Sequence, residues 1–593
     1  MMHGREKSDP SIVAGKPANG VGRPEPELVE RREGAKENTG RANTRRTPSR
    51  VSVPPGLDRV RTAARLDGKE RFTALLHHVD AGLLHSAYSW LKRDAAPGVD
   101  GVTWQEYGQD LERKLADLHG RIHRGAYRAQ PSRRHYIPKP DGRRRPLGIA
   151  ALEDKIVQRA MVEVLNAIYE EDFLGLSYGF RPGRGPHDAL DALAVGIGNT
   201  RVNWVLDADI AGFFDAVSHE WLIRFVEHRV GDRRVIRLIR KWLKAGVMED
   251  GEVSQTETGT PQGGVASPLL ANIYLHYVFD LWAERWRRHH AQGNIILVRY
   301  ADDIVAGFEH QADAERFQAE LRDRLAQFAL TLHPDKTRLI QFGRRAAEER
   351  ERAGLGKPET FDFLGFTHIC GRSRRGRFLL FRRTRRDRKR AKVREVKEQL
   401  RRRMHNPIPS QGQWLRQVVT GFFAYHAVPN NFDALAAFRY HIMVLWRRTL
   451  TRRSQKDRTG WDRINRLADQ WLPRPRILHP WPNQRFAVKH PRWEPDAGCV
   501  RRSWYELTSA SLVRPKPSKQ DGSESYGRHG NVGSGAWTAV GRGVGLTPEI
   551  GLSRRPSWRS HQRRQHIRSR YARGRMHRRG LRPGHVRTAH TGT

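Results

Sequence analysis

Apolar residues change their spacing along the chain, and the most informative change lies at residues 295–308. The apolar run Ile295–Val298 and the pair Ile304–Val305 are of strand length and enclose Asp302 and Asp303. Two such runs around a short polar segment predict a β-hairpin that carries the carboxylates at its tip. Because the flanks do not alternate between apolar and polar residues, both faces of the hairpin are expected to be buried.

A second acidic strand is predicted at residues 204–217, where an apolar run leads into a turn beside Asp207, Asp209 and Asp215. Alternation along a strand places Asp207 and Asp209 on the same face, so spacing alone does not choose between them. Acidic residues at strand ends are also common helix N-caps. The pattern therefore leaves open which of these carboxylates carries chemistry.

Helical apolar spacing accounts for most of the remaining predicted elements. The expected helices are residues 60–91, 104–122 and 151–170, one opening at His187, two more ending near residue 246, then 314–330 and 414–450. The last segment is rich in aromatic residues. Most of these are expected to be core, with a minority serving as nucleobase-stacking platforms beside arginine. They are Phe422, Phe423, Tyr425, Phe432, Phe438, Tyr440 and Trp446.

Three loop-like segments punctuate this pattern. Strand-like ends at 133–149 enclose a Pro-Asp-Gly turn that carries Lys139 and three arginines, which suits either phosphate binding or an ordinary solvated turn. Residues 258–275 form a Gly- and Pro-rich loop that leads into an apolar helix, so backbone amides would approach a ligand closely there. Residues 361–366 predict a pair of strands interrupted by a glycine.

Composition adds the class of partner. The 593 residues include 108 Lys and Arg against 64 Asp and Glu, a formal net charge of +44. Such a charge opposes compactness unless a polyanion offsets it, which favours a nucleic acid over the alternative of a basic membrane-surface protein. No apolar run approaches the roughly 18 residues of a spanning helix, and no signal-peptide core opens the chain, so a soluble, cytoplasmic protein is expected.

The two cysteines, Cys370 and Cys499, exclude a disulfide framework and a four-cysteine zinc site. Residues 1–58 and 496–593 are polar and basic without apolar periodicity, and both are predicted to be disordered. The chemistry is therefore sought among the carboxylates of the middle region.

Carboxylates from two buried strands that converge would suit two-metal phosphoryl transfer. In that chemistry the carboxylates hold two Mg²⁺ ions roughly 3.5–4 Å apart. One ion activates an attacking hydroxyl, the other stabilises the leaving oxygen, and nearby cations neutralise a triphosphate. Asp209, Asp302 and Asp303 are the candidate ligands.

The motifs together resemble those of reverse transcriptases. Tyr300-Ala-Asp-Asp303 is similar to the Y-x-D-D signature, Asp209-Ile-Ala-Gly-Phe-Phe-Asp215 to the palm motif that precedes it, and Thr260-Pro-Gln-Gly-Gly264 to the motif between them. All occur in family order. Ala301, with the strings at 421–429 and 473–480, resembles the bacterial group II intron reverse transcriptase/maturases.

This resemblance implies a role for individual residues. Asp209, Asp302 and Asp303 would be the catalytic carboxylates and, with the carbonyl of Ile210, would ligate two Mg²⁺ ions; the resemblance prefers Asp209 to Asp207. Leu364 and Gly365 would seat the primer end. The residues implied to contact the incoming nucleotide are Lys139, Arg145, Ile210, Phe214 and Gln262.

The resemblance also implies an α+β fold, a right-hand polymerase whose fingers and palm with an antiparallel sheet occupy residues 59–370. An α-helical thumb, the maturase domain X, would occupy 371–495, between a basic leader (1–58) and a basic tail (496–593). The partners implied are group II intron RNA, an RNA template with a DNA primer, target DNA and dNTPs, with no membrane. The compartment would be the bacterial cytoplasm, in association with the nucleoid.

The cysteine count departs from many family members, because the zinc-associated H-N-H endonuclease with paired cysteines cannot be built from Cys370 and Cys499. Priming from nascent DNA at replication forks is the expected substitute for target-strand cutting. Two rival functions remain, a splicing-only maturase and a reverse transcriptase of the retron or phage-defence type. The intact aspartates argue against the first, and the domain X strings argue against the second.

Overall fold

The computed structural model describes residues 55–138, 144–249, 251–254, 258–260, 263–453 and 459–489. The N-terminal leader up to residue 54, the basic tail, Lys139 and Gln262 lie outside these ranges.

Helices make up most of the described chain. In chain order they are α1 (Pro55–Leu66), α2 (Ala81–Trp90), α3 (Trp104–Tyr107), α4 (Leu111–His123), α5 (Leu152–Asp172), α6 (Pro186–Asn199), α7 (Phe213–Ala216), α8 (His219–Glu227), α9 (Arg233–Lys244), α10 (Ser267–Leu275), α11 (Leu281–His289), α12 (Gln311–Ala326), α13 (Arg344–Arg352), α14 (Arg386–Arg402), α15 (Ile408–His426), α16 (Phe432–Thr451), α17 (Trp461–Trp471) and α18 (Pro482–Lys489).

The strands form three sheets. In chain order they are β1 (Ser132–Pro138), β2 (Arg144–Ile149), β3 (Trp204–Ala208), β4 (Val247–Glu249), β5 (Glu252–Ser254), β6 (Ile295–Tyr300), β7 (Asp303–Phe308), β8 (Arg338–Gln341), β9 (Phe361–Phe363), β10 (Phe366–Arg372) and β11 (Phe378–Thr384). The strand orders are β2-β1-β4-β5, β6-β7-β3-β8 and β11-β10-β9.

The sheet with strand order β6-β7-β3-β8, called the central sheet below, confirms the predicted hairpin that carries Asp302 and Asp303. Strands β6 and β7 pair antiparallel and are joined by Ala301 and Asp302, and β3 pairs antiparallel with β7 on one side and β8 on the other. Every residue of β6 is buried, as is every residue of β7 after Asp303. In these strands apolar residues point to both faces of the sheet instead of alternating with polar residues. Both faces therefore need to be covered, and helices cover them. The sheet therefore holds the hairpin tip on a rigid base.

The prediction of one helix over residues 60–91 is wrong. Helix α1 ends at Leu66 and α2 begins at Ala81, where the Asp80 carboxylate accepts the amide of Leu83 and caps the helix. Between them, backbone amides bond to the Asp232 carboxylate instead of continuing a helix. A capping residue and a long-range hydrogen bond thus override apolar spacing. The predicted helix 104–122 is likewise interrupted, at Gly108–Asp110.

The C-terminal part of the described chain is helical and has its own core. Phe422, Phe423, Phe438 and Trp446 from α15 and α16 are buried in it, which confirms that most of the aromatic residues are packing groups. Tyr440 is an exception and is 56% exposed. The fold is of the predicted α+β class, a palm-like antiparallel sheet with helices followed by a helical region. No described helix combines the length and apolar character that crossing a bilayer requires.

Candidate active site

The ends of β3 and β7 bring the candidate aspartates together. Ala208, the last residue of β3, pairs with Ile304, and Asp303 is the first residue of β7, so Asp209 and Asp303 lie at the same end of this strand pair. Asp302 lies beside them in the β6–β7 turn. Carboxylates that are 93 residues apart in sequence therefore share one edge of the central sheet.

The electrostatics confirm that these groups are close. The pKa of Asp302 is raised to about 6, first because the carboxyl is buried and then because Asp303 and Asp209 lie near it. Burial also raises the pKa of Asp207 to about 7, and the negative charges of Asp303, Asp362 and Asp209 add to this while Arg338 opposes it. Crowded carboxylates in low dielectric hold a proton or require a cation.

Lys336 supplies a cation at this edge. Its Nζ lies 2.6 Å from Oδ2 of Asp209. The turn that carries Lys336 is fixed by the amide of His333, which donates to the Asp209 carbonyl at 2.8 Å, and by the amide of Ala211, which donates to Thr331 at 2.8 Å. Nothing in the sequence places Lys336 on Asp209, because the contact crosses 127 residues.

The donor chemistry fits a hard divalent cation, because carboxylate oxygens crowd one edge and a cation would compensate the charge of the half-buried Asp302. Within the described ranges, however, no three His, Cys, Asp or Glu side chains form a group that could hold a metal ion as placed. Lys336 occupies one Asp209 oxygen instead. A metal would have to displace this ammonium group from Asp209.

A buried arginine, Arg299, forms a hydrogen bond to the backbone of the β6–β7 turn. Arg299 is 0% exposed and forms a two-pronged ion pair with Asp280, at 2.7 Å from Nε and 2.6 Å from Nη2. Its Nη1 donates to Oδ1 of Asn272 and to the carbonyl of Ala301, both at 3.0 Å, and Nη2 donates to Ser177 at 2.7 Å. Arg299 therefore links the turn that carries Asp302 to the helical layer.

The turn itself is tightly enclosed. Ala301 has a φ of 57°, in the left-handed region that costs an alanine energy. Gly179 lies so close that a Cβ there would be 2.3 Å from the Ala301 nitrogen. Arg299 is a charged residue inside an otherwise apolar strand, and this pattern indicates a buried ion pair. The sequence contains no comparable indication that Gly179 lies close to Ala301.

The described nucleotide-contact candidates lie around the same edge. Arg145 on β2 is close enough to Asp302 to lower its pKa. Phe214 is half-buried on α7, and its carbonyl accepts the Thr260 amide at 2.8 Å. Ile210 is buried and follows Asp209 directly. Lys139 and Gln262 lie outside the described residues, although Gly263 passes so near β2 that a Cβ there would be 2.8 Å from the Gly148 carbonyl oxygen.

The predicted primer-seating turn joins β9 to β10. Leu364 and Gly365 both have positive φ, 46° and 83°. The Tyr425 hydroxyl donates to the Leu364 carbonyl at 2.7 Å, and the Arg385 amide donates to the Gly365 carbonyl at 3.2 Å. Burial lowers the pKa of Arg385, but the hydrogen bond to Asp387 and the charges of Asp362 and, last, Asp303 raise it, so the arginine that holds this turn lies within electrostatic reach of Asp303.

Comparisons with known proteins agree with this arrangement. The family model described as reverse transcriptase (RNA-dependent DNA polymerase) matches residues 137–368. Protein YkfC of Escherichia coli (strain K12) is 38% identical over 297 residues, which cover 44% of this chain and 77% of that protein. The group II intron-encoded protein LtrA of Lactococcus lactis subsp. cremoris is 36% identical over 222 residues, which cover 37% of each chain. Nuclear intron maturase 2, mitochondrial, of Arabidopsis thaliana is 31% identical over 232 residues, which cover 32% of this chain and 30% of that protein.

Proposed function

This chain belongs to the family of group II intron reverse transcriptases and maturases, and we propose that it is an RNA-directed DNA polymerase that also binds intron RNA and promotes its splicing and retrohoming. The match to the reverse transcriptase model at 137–368 indicates the polymerase activity. The observation that carries the proposal is the placement of Asp209 and Asp303 at the same end of the β3–β7 pair, both near enough to Asp302 to raise its pKa after burial does so.

We propose that Asp209, Asp302, Asp303 and the carbonyl of Ile210 hold two Mg²⁺ ions. When bound, such ions lower the pKa of a primer 3′-hydroxyl and offset the charge that develops on the leaving diphosphate. The raised pKa of Asp302 supports this assignment, because a partly desolvated carboxylate crowded by other carboxylates is stabilised by a cation. The Asp209 contact of Lys336 marks the oxygen that a cation would take.

The neighbouring residues would position the two substrates. Arg145 would bind the triphosphate together with Lys139, and Gln262 would contact the incoming nucleotide. Phe214 would lie under the sugar and exclude a 2′-hydroxyl, which selects dNTPs. Leu364 and Gly365 would seat the primer end, where two hydrogen bonds hold their turn.

At the scale of domains, we propose fingers and palm over residues 59–370 and a thumb, domain X, over 371–495, flanked by a basic leader (1–58) and a basic tail (496–593). The separate core of α14–α17 supports a helical thumb, but residue 371 lies within β10 and Leu380 of β11 packs in the first core, so the two cores divide closer to the start of α14 at Arg386. The partners would be group II intron RNA, an RNA template with its DNA primer, target DNA and dNTPs. The protein would act where intron transcripts are made, in a bacterium the cytoplasm and nucleoid.

Primer extension and RNA binding, measured on the same variants, test this proposal. Asp302→Ala together with Asp303→Ala should abolish extension of a DNA primer on an RNA template, because the cation ligands are removed. Binding of intron RNA should stay within about twofold of wild type, because phosphate contacts dominate such affinity. The exchange Asp362→Ala serves as a control for removing an acidic charge near the same edge.

Loss of RNA binding along with extension would assign the two aspartates to folding and would count against the metal role. Retention of intron splicing in vitro by a wild-type protein that does not extend primers would favour the splicing-only alternative.

A further inference from the structure

Two large aromatic rings lie exposed and parallel on the helical C-terminal region. Tyr440 is on α16 and is 56% exposed, and Trp461 is the first residue of α17 and is 41% exposed. Their planes differ by 5° and their centroids are 6.3 Å apart. The residue 440 was among the aromatics for which the sequence predicted either packing or stacking of a nucleobase. Its exposure excludes a role in the core.

The aromatic residues in the core of the same helices pack more closely than Tyr440 and Trp461 do. Phe422 and Phe438 are buried, and their rings stack with centroids 3.7 Å apart. Parallel rings at 6.3 Å overlap far less, so Tyr440 and Trp461 leave ring faces open to solvent. Adjacent exposed aromatic rings are typical of a surface that binds a partner.

The positively charged side chain of Arg447 lies over the ring of Trp461. The guanidinium carbon of Arg447 lies 4.9 Å from the Trp461 ring centroid. Its Nε donates to the Thr459 carbonyl at 3.2 Å, so the arginine is held in place. An immobilised arginine fixes the indole and leaves positive charge beside it, a combination that suits a base attached to a phosphate backbone.

We propose that Tyr440 and Trp461, termed the ring pair below, form a stacking site for one unpaired base of a folded RNA. The inference rests on the proposed function, in which this chain binds intron RNA. A nucleobase is flat and apolar on its faces, as the exposed rings are, and its backbone is drawn to a chain with a net charge of +44. Only an unpaired, unstacked base offers a free face, so the site selects bulges and loops over continuous duplex.

The test compares two RNA hairpins that differ at one position, with the full-length protein and its variants. In the first hairpin a single 2-aminopurine is bulged, and in the second the same nucleotide is paired. Wild type should bind the bulged hairpin more tightly and should quench its fluorescence through stacking. Tyr440→Ala and Trp461→Ala should weaken bulged-hairpin binding by roughly 5- to 100-fold and reduce the quenching, while affinity for the paired hairpin stays unchanged.

Two further variants separate stacking from loss of fold. Tyr440→Phe retains the ring face and should bind the bulged hairpin like wild type. Trp481→Ala removes a tryptophan that is similarly exposed, at 46%, and should change neither hairpin's affinity. Equal weakening by Trp481→Ala would show a non-specific effect and would overturn the assignment.

Primer extension on an RNA template, run with the same preparations, keeps this inference separate from the proposed function. If Tyr440→Ala and Trp461→Ala bind both hairpins like wild type while all proteins extend primers, the ring pair is not a base site and the polymerase assignment stands. If wild type fails to extend primers, the proposed function falls whatever the hairpins show. If the variants instead abolish self-association in sedimentation, the ring pair joins two copies of the chain, and the proposal is wrong.

Discussion

The position of Asp302 in the candidate active site depends on Arg299, a buried residue next to the turn that carries Asp302. Its guanidinium group is buried, pairs with Asp280 and donates to the Ala301 carbonyl at 3.0 Å. A buried ion pair adds little net stability over well-packed apolar groups, because both charges lose hydration. Its value here lies in geometry, since it fixes the turn that presents Asp302.

Removing only one charged partner of this pair should therefore destabilise the protein more than removing both partners. Arg299→Met leaves Asp280 buried without a counter-charge and should destabilise the protein by about 3–5 kcal/mol. The double variant Arg299→Met/Asp280→Leu should recover most of that stability yet extend primers poorly, because the Ala301 carbonyl still lacks its donor. Thermal unfolding and primer extension measure the two effects. A double variant that polymerises like wild type would show that the arginine serves only the fold.

The carboxylates of the site were predictable from the sequence, whereas the groups that compensate or position them were not. Asp302 and Asp303 were visible because two apolar runs enclose them. The pairing of Lys336 with Asp209 depends on how a distant turn folds back onto β3. The approach of Gly179 to the Ala301 backbone is a backbone contact that no local pattern encodes.

At the scale of elements, buried histidines mark the junction between α6, β10, α15 and the segment before α18. His368, His426 and His479 are buried there and His187 is half-buried, and burial is the first cause that lowers the pKa of each. The ring of His479 is neutral, because Nε2 contacts the Ala424 carbonyl at 2.8 Å and Nδ1 accepts from Arg485 at 2.7 Å. A proton on Nδ1 would break the second bond.

The junction should therefore be sensitive to acid. The pKa of His479 is lowered to about 4, below that of a histidine in the unfolded chain, so the unfolded state binds more protons between the two values. The stability contribution is complete above pH ~6.5 and is lost as the pH falls towards ~4. Melting temperatures across this range should drop less steeply for His479→Gln, because a glutamine can make both hydrogen bonds without titrating.

His85→Gln, a change on a half-exposed ring, is the matched control and should leave the profile unchanged. An identical acid slope in wild type and His479→Gln would contradict the role given to His479.

Element boundaries were predictable where apolar spacing was long and regular. Helix α5 and strands β6 and β7 fall within a few residues of the expected positions. The segment between α1 and α2 was not predictable, because the Asp232 carboxylate that holds it is 156 residues from Leu76. Tertiary hydrogen bonds of this kind override local propensity.

At the scale of the whole molecule, charge determines how RNA would be held. The exposed residues Arg390, Arg394, Lys397 and Arg401 follow one face of α14 at helical spacing. With a chain charge of +44, binding should be dominated by phosphate contacts.

RNA affinity should therefore fall steeply with salt, by roughly a thousandfold or more between about 50 and 200 mM if six or more phosphates are neutralised. Arg394→Gln together with Lys397→Gln should reduce the slope of log affinity against log salt by about 2, since each contact contributes about 1. Filter binding across a salt series measures this. An affinity that does not change with salt would contradict the assignment.

The central claim is that Asp209, Asp302 and Asp303 share divalent cations at one edge of the sheet. Replacing Mg²⁺ with Fe²⁺ and adding peroxide generates hydroxyl radicals at the metal, which cut the backbone next to it. We expect cuts near residue 209 and near residues 302–303 in the same protein, and loss of both in Asp302→Asn. Cutting at only one of these places, or at both in the variant as in wild type, would contradict a shared cation site.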